Sequence, residues 1–198
     1  MIINLSKFIR LYLSRPVWIE ILGSPQLELY LPIGGFIGTK NRLPEGYLLR
    51  TFQQGDEEML SKLYLESGFS FSKNQFPELF SACLPNGCFV VEHIETKDLV
   101  ATMMARHHSS KDYPFGGRID WLASSPHHRL KGLGNICASA ASKRLLEAGY
   151  SNIWVTTDDF RLGAIKIFTS LGFRPVINKE TESRWGNINN LLDLTLHT

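Results

Sequence analysis

Residues 118–156 constrain what this chain can fold into more than any other stretch. Residues 118–124 read as a strand and run into Ser125-Pro-His-His-Arg-Leu-Lys-Gly-Leu-Gly134. A helix follows, with Leu133, Ile136, Cys137, Ala140, Ala141, Leu145 and Ala148 at helical spacing and Gly149 as its C-terminal cap. Residues 152–156 then form the next strand. Two strands of one sheet joined through a helix make a parallel pair with a right-handed crossover.

The preceding elements read as antiparallel. Residues 47–52 form a strand, and 56–67 form a helix with acids at its start and Met59, Leu60, Leu63 and Tyr64 on one face, ended by Gly68. Residues 69–82 are a shorter helical or irregular stretch broken by Pro77, and 88–94 with 99–105 make a hairpin around Glu95-Thr-Lys-Asp98. After the crossover, Asp158-Asp159 cap a helix whose face is Ala164, Ile165, Phe168 and Leu171, stopped by Gly172. Residues 173–177 and 191–196 read as closing strands. The fold class is α/β of the α+β kind, a mixed and largely antiparallel sheet of six to seven strands with helices on both faces. At the N-terminus, 17–22 and 27–31 alternate at period two around Gly23-Ser-Pro-Gln26, a hairpin pattern. Residues 34–46 read as a flexible connector. The chain divides into an accessory segment, 1–44, and a main domain, 45–198. The hairpin has three open roles: covering the sheet, forming a homodimer contact or closing a pocket.

The turn Arg129-Leu-Lys-Gly-Leu-Gly134 is suited to an anion. The first turn of a helix leaves N–H groups unpaired and carries partial positive charge. Glycines let a phosphate approach the backbone, and Arg129 and Lys131 add full charges. Gly132-x-Gly134-x-x-Cys137 also has the outline of a dinucleotide fingerprint, with Asp158 about 20 residues on. That fingerprint places its glycines tightly after the strand and a small residue in its third slot. Here the glycines follow at a distance, and cysteine fills the slot.

With these residues in place, the chain resembles the GNAT superfamily of acyl-CoA-dependent N-acetyltransferases. Three features carry the resemblance: the strand into Ser125-Pro126, the turn Arg129-Leu-Lys-Gly-Leu-Gly134, and Ala164-Ile-Lys-Ile-Phe-Thr-Ser-Leu-Gly-Phe173. It implies that the parallel strands splay apart and hold the pantetheine arm of acetyl-CoA against the backbone of Leu122, Ala123 and Ser124. It places the pyrophosphate on Arg129, Leu130, Lys131, Gly132, Leu133, Gly134 and Asn135, and Phe168 beside the thioester. The implied reaction is transfer of an acetyl group to a primary amine of a small molecule or peptide, by direct attack in a ternary complex. Side chains alternate along a strand, so Arg118, Asp120 and Leu122 are expected on one face. Asp120 is the candidate general base, through water; the same carboxylate can instead pair with Arg118 or Arg106. A backbone amide near Ser124 is the candidate oxyanion donor. Two positions depart from the family pattern. Phe168 stands where many members carry a tyrosine acid, and Arg161 where an asparagine is common. The first departure supports an alternative, a catalytically weak acyl-CoA-binding sensor or assembly module. The resemblance implies an acceptor pocket in 57–80, where Tyr64, Glu66, Phe69, Phe71 and Glu78 suit an aromatic-lined amine pocket but read more readily as ordinary helix packing.

Composition closes off other classes. A formal net charge of +2 lacks the basic excess of a nucleic-acid binder. No apolar run approaches the ~18 residues of a membrane span, and residues 1–22 are broken by Lys7, Arg10, Arg15 and Glu20. Cys83, Cys88 and Cys137 show no ligand spacing and read as reduced thiols of a cytoplasmic protein. His107-His108 and His127-His128 are adjacent pairs whose side chains diverge, so no metal is expected.

Overall fold

The structure, a computed structural model, describes residues 25–69 and 73–192. Seven strands form one sheet: β1 (Leu27–Leu31), β2 (Tyr47–Thr51), β3 (Cys83–His93), β4 (Leu99–His107), β5 (Gly116–Ser124), β6 (Asn152–Thr157) and β7 (Arg174–Pro175). Their order is β2-β3-β4-β5-β6-β1-β7, and only β5 and β6 are parallel. Helices α1 (Glu57–Glu66) and α2 (Phe76–Phe80) cover one face. The other face carries α3 (Leu133–Glu147), α4 (Leu162–Ser170) and α5 (Glu182–Leu192). Each face has its own apolar core. Leu60, Leu63, Tyr64, Phe76 and Leu79 pack on Cys88, Val90 and Met104. Leu133, Cys137, Ala141, Ile165, Phe168 and Trp185 pack on Val91, Met103, Ile119 and Val155.

Leu27, Leu29 and Leu31 alternate inward and are buried, as the sequence pattern predicts, but their partners are distant in sequence. β1 lies between β6 and β7, pairing Leu29 with Val155 and Tyr30 with Arg174. The other arm of the expected hairpin, 17–22, lies outside the described residues. The stretch expected to be a flexible connector is packed instead. Ile37 donates its amide to Leu171 O (3.1 Å), and Thr39 donates to Ser139 Oγ (3.1 Å). Gly172 turns at φ +100°, and a Cβ there would collide with Gly35 O. Phe36 and Leu43 lie against the α3–α4 core.

Three further expectations are corrected. Leu191 and Leu192 belong to α5, not to a closing strand: Trp185, Ile188 and Leu192 recur at helical spacing, and Trp185 and Ile188 are fully packed. Residues 193–196 lie outside the described residues. Asp158 and Asp159 do not cap α4, whose N-cap is Arg161. Both carboxylates are taken by guanidiniums, Asp158 by Arg161 (2.8 Å) and Asp159 by two nitrogens of Arg184. Pro77 opens α2 rather than breaking a helix, since its missing N–H falls in the first turn where none is needed.

Candidate active site

β5 and β6 pair only at Gly116–Asn152, Gly117–Ile153 and Arg118–Trp154. Beyond that point β5 stays with β4 and β6 stays with β1, so the sheet opens into a V. The V exposes backbone donors and acceptors on both inner edges, and such groups need a partner. The splay implied by the resemblance is therefore present, starting after Arg118.

A bulge re-aims the side chains at this opening. Thr102 faces Ala123 and Met104 faces Asp120, so one residue on β4 spans two on β5, and Trp121 sits at φ +65°. Arg118 and Asp120 keep one face, but Leu122 is turned to the other. Leu122 packs with the α3 core, and its Cδ1 would lie 3.5 Å from a Cβ on Gly134. Trp121 joins the α1 core instead. The expectation that Arg118, Asp120 and Leu122 share a face thus fails at Leu122, because simple alternation carries no bulge.

At the end of β5, Ser125 donates its amide to Val100 O (2.9 Å). Alternation along the extended backbone then directs the Ser124 N–H away from β4, toward the opening. Residues Pro126–His128 make one 3₁₀ turn, Leu130 and Gly132 take positive φ (62° and 75°), and α3 starts with no side-chain cap. Among the described residues, the amides of Leu130, Lys131, Gly132, Leu133, Gly134 and Asn135 have no side-chain or loop-backbone acceptor. Gly134 packs so closely that a Cβ would meet Ser124 Oγ at 3.1 Å, and a Cβ on Gly132 would meet Asn41 Nδ2 at 2.8 Å. An open cradle of amides with exposed Arg129 beside it fits a pyrophosphate.

Lys131 points elsewhere. Its Nζ donates to Tyr47 Oη (2.6 Å), leaving the phenol proton for His128 Nδ1 (2.8 Å). His93 packs at a tilt against both rings, 5.3 Å from Tyr47 and 5.0 Å from His128. Burial, then the charges of His93 and Lys131, hold the His128 imidazole below its ordinary range. Because the unfolded chain binds that proton more readily, stability is full above the ordinary histidine pKa and falls as pH drops toward the folded value. Thermal unfolding measured from about pH 7 down to about pH 5 is expected to show a falling Tm, with a smaller fall in His128→Gln.

Asp120 is 8% exposed and receives two arginines. Arg106 Nη1 donates to Oδ2 (3.0 Å), and Arg118 Nε lies 2.8 Å from Oδ1. The two pairings left open by the sequence both occur. Arg118 also donates to Thr156 Oγ1 (2.7 Å) and lies 4.6 Å from the Trp154 ring centre, so it ties the two arms of the V together. Trp154 in turn stacks on Tyr113, whose hydroxyl donates to Glu28 (2.6 Å). Ser125 Oγ donates to Glu66 (3.1 Å), bringing a second carboxylate near the end of β5.

Phe168 is 2% exposed and packs on Phe173 in the α3–α4 core. Phe69 reaches Trp121, while Phe71 lies outside the described residues. Sequence reasoning missed Gln26, whose amide links Thr156 to Asp158 (2.8 and 3.1 Å). Nothing local marked it, because its partners are more than a hundred residues away. All three thiols are free, and burial pushes Cys83 up to about 11. Among the described residues there is no cluster of three metal-ligating side chains, and no helix is long and apolar enough to cross a membrane.

Comparison with known proteins agrees with this geometry. The family model for GNAT acetyltransferases matches residues 57–173. A GCN5-related N-acetyltransferase from Sphaerobacter thermophilus superposes with TM-score 0.60 at 16% identity, covering 81% of this chain and 52% of that one. One from Kribbella flavida gives TM-score 0.53 at 18% identity, covering 81% and 60%. A Trypanosoma brucei acetyltransferase gives TM-score 0.51 at 17% identity, covering 67% and 96%. The chain thus spans just over half the length of the first two. No curated protein matches it in sequence. The open V, the amide cradle at α3 and the matched 57–173 segment make this chain a member of the GNAT acetyltransferase family.

Proposed function

We propose that the protein is a cytoplasmic N-acetyltransferase, moving an acetyl group from acetyl-CoA to a primary amine of a small molecule or peptide by direct attack. The observation that carries this reading is the meeting of the open β5 edge with the amide cradle at its C-terminal end. The backbone of Leu122, Ala123 and Ser124 would hold the pantetheine arm, and Arg129 to Asn135 the pyrophosphate. When bound, acetyl-CoA supplies an activated carbonyl. An acceptor amine with a pKa of about 10.4, as for lysine, must lose a proton before it attacks. Asp120 has acceptor sites beyond those its two arginines use, enough for one water, and is the proposed base through that water. A general base contributes roughly 10²–10⁴-fold. The Ser124 N–H is the proposed donor to the charge that develops on the carbonyl oxygen. An N–C bond forms as the C–S bond breaks, and the amine's proton passes to water. The sulfur leaves as thiolate, tolerable for a group with pKa near 8.5, because Phe168 has no proton to give.

Phe168 favours a second reading, an acyl-CoA-binding sensor with weak catalysis. Titration calorimetry with acetyl-CoA, followed by CoA-release assays across an amine panel, separates the two. Binding with turnover of at least one amine is the expected result. Binding without turnover selects the sensor, and absence of binding removes both.

A further inference from the structure

On the α1 side of the sheet, side chains close a ring around the mouth of the V. Trp121 of β5 meets Phe69 edge to face (5.9 Å), and Phe69 carries the Arg161 guanidinium 4.9 Å from its ring centre. Arg161 Nε donates to Asp158 (2.8 Å), Gln26 bridges Asp158 to Thr156, and Thr156 holds Arg118. Arg118 returns the ring to β5 at Asp120 (2.8 Å). An acceptor reaching the opening from this side passes through that ring.

The charges on the ring itself are paired. Asp158 is answered by Arg161 and Asp120 by Arg118, while Arg106 reaches the same carboxylate from outside the ring and Glu28 and Glu66 lie nearby on Tyr113 and Ser125. Arg161 also has donors to spare. Its Nε is fixed by Asp158 and its guanidinium lies 4.9 Å from the Phe69 ring centre and 5.5 Å from that of Phe160, while its two Nη groups have no hydrogen-bond partner among the described residues. A guanidinium locked at one edge and stacked on a ring presents a two-pronged donor set that matches a carboxylate. The same guanidinium repels an ammonium group set against it.

We propose that the acceptor carries a carboxylate beside its amine, as an amino acid does, and that Arg161 is the residue that reads it. Resting on the acetyltransferase reading, this inference adds the acceptor's chemical class. Arg161 is then a specificity-determining residue, not a part of the acetyl-CoA cradle.

Free amino acids compared with their carboxamides form matched acceptor pairs, with spermidine as a polycation control. Assayed by CoA release, the acid of at least one pair is expected to exceed its amide by at least about 10-fold in kcat/KM, with spermidine inactive. A two-pronged charge-assisted pair is the source of that margin. Arg161→Gln is expected to collapse the ratio to about 2-fold or less through KM, with Arg161→Lys restoring part of it and acetyl-CoA affinity unchanged in calorimetry. Equal use of acids and amides, or turnover of amides or spermidine without turnover of any acid, overturns the proposal. So does an Arg161→Gln variant that loses acetyl-CoA affinity but keeps the preference. Failure of the parent to bind acetyl-CoA, or binding without turnover of any amine, is a separate result and removes the underlying acetyltransferase reading itself.

Discussion

Gly132→Glu is expected to lower acetyl-CoA affinity by at least about 100-fold, or about 2.8 kcal/mol, in titration calorimetry. Two effects act together. Gly132 sits at φ +75°, where a side chain costs roughly 1–2 kcal/mol of backbone strain. Its Cβ would also come within 2.8 Å of Asn41 Nδ2, the far end of a side chain that can move aside. The larger effect is charge. The new carboxylate stands at the start of α3, among the amides that would face the phosphates, and both competes for those amides and repels the ligand. Gly132→Ala keeps the strain without the charge and is expected to lose about 10-fold or less. Urea unfolding of both variants checks that the fold survives. Parent-like affinity in Gly132→Glu would show that the cradle does not hold the cofactor.

Asp120→Asn is expected to destabilise the protein by about 3 kcal/mol in urea unfolding, a large share of a typical domain's stability. Asparagine keeps the shape but not the charge, leaving Arg106 and Arg118 facing each other across a site only 8% exposed. Breaking a buried ion pair from one side costs more than the pair is worth, since the orphaned charge stays desolvated. A double variant, Arg106→Met with Asp120→Asn, restores the balance and is expected to recover at least half the loss. The same variant tests catalysis once an acceptor is in hand. A fall in rate of about 10²-fold with an altered pH profile is expected of a lost general base. A profile of unchanged shape would leave Asp120 as an ion-pair anchor and remove the base role.

The local features of this site were legible in the sequence. The crossover from β5 through α3 to β6, the glycine turn and the helix face ending in Gly172-Phe173 all follow from short-range periodicity and turn chemistry. Asp120 lies on β5 as the strand pattern predicts, and it pairs with both arginines the sequence offers. Leu122 departs from the expected face because the bulge at Trp121 leaves no mark in a pattern of alternating residues. The strand expected over 191–196 overlaps the end of α5 at Leu191 and Leu192, because the helical signal lies in the spacing of Trp185 and Ile188 upstream.

By itself, the sequence determined most of the strands and helices, α5 excepted, and that a helix N-terminus with two glycines and added charge follows β5. These are properties of neighbouring residues, set by backbone conformation and apolar period. Tertiary structure decided the rest: that β1 enters the sheet between β6 and β7, that β5 and β6 part after Arg118, and that Phe69, Arg161, Asp158, Gln26 and Arg118 close a ring around the opening. Gln26 and Asp158 are 132 residues apart, and no local pattern links them. Strand order and side-chain pairing at such separation follow from which surfaces can be buried together, a balance that only the folded chain resolves.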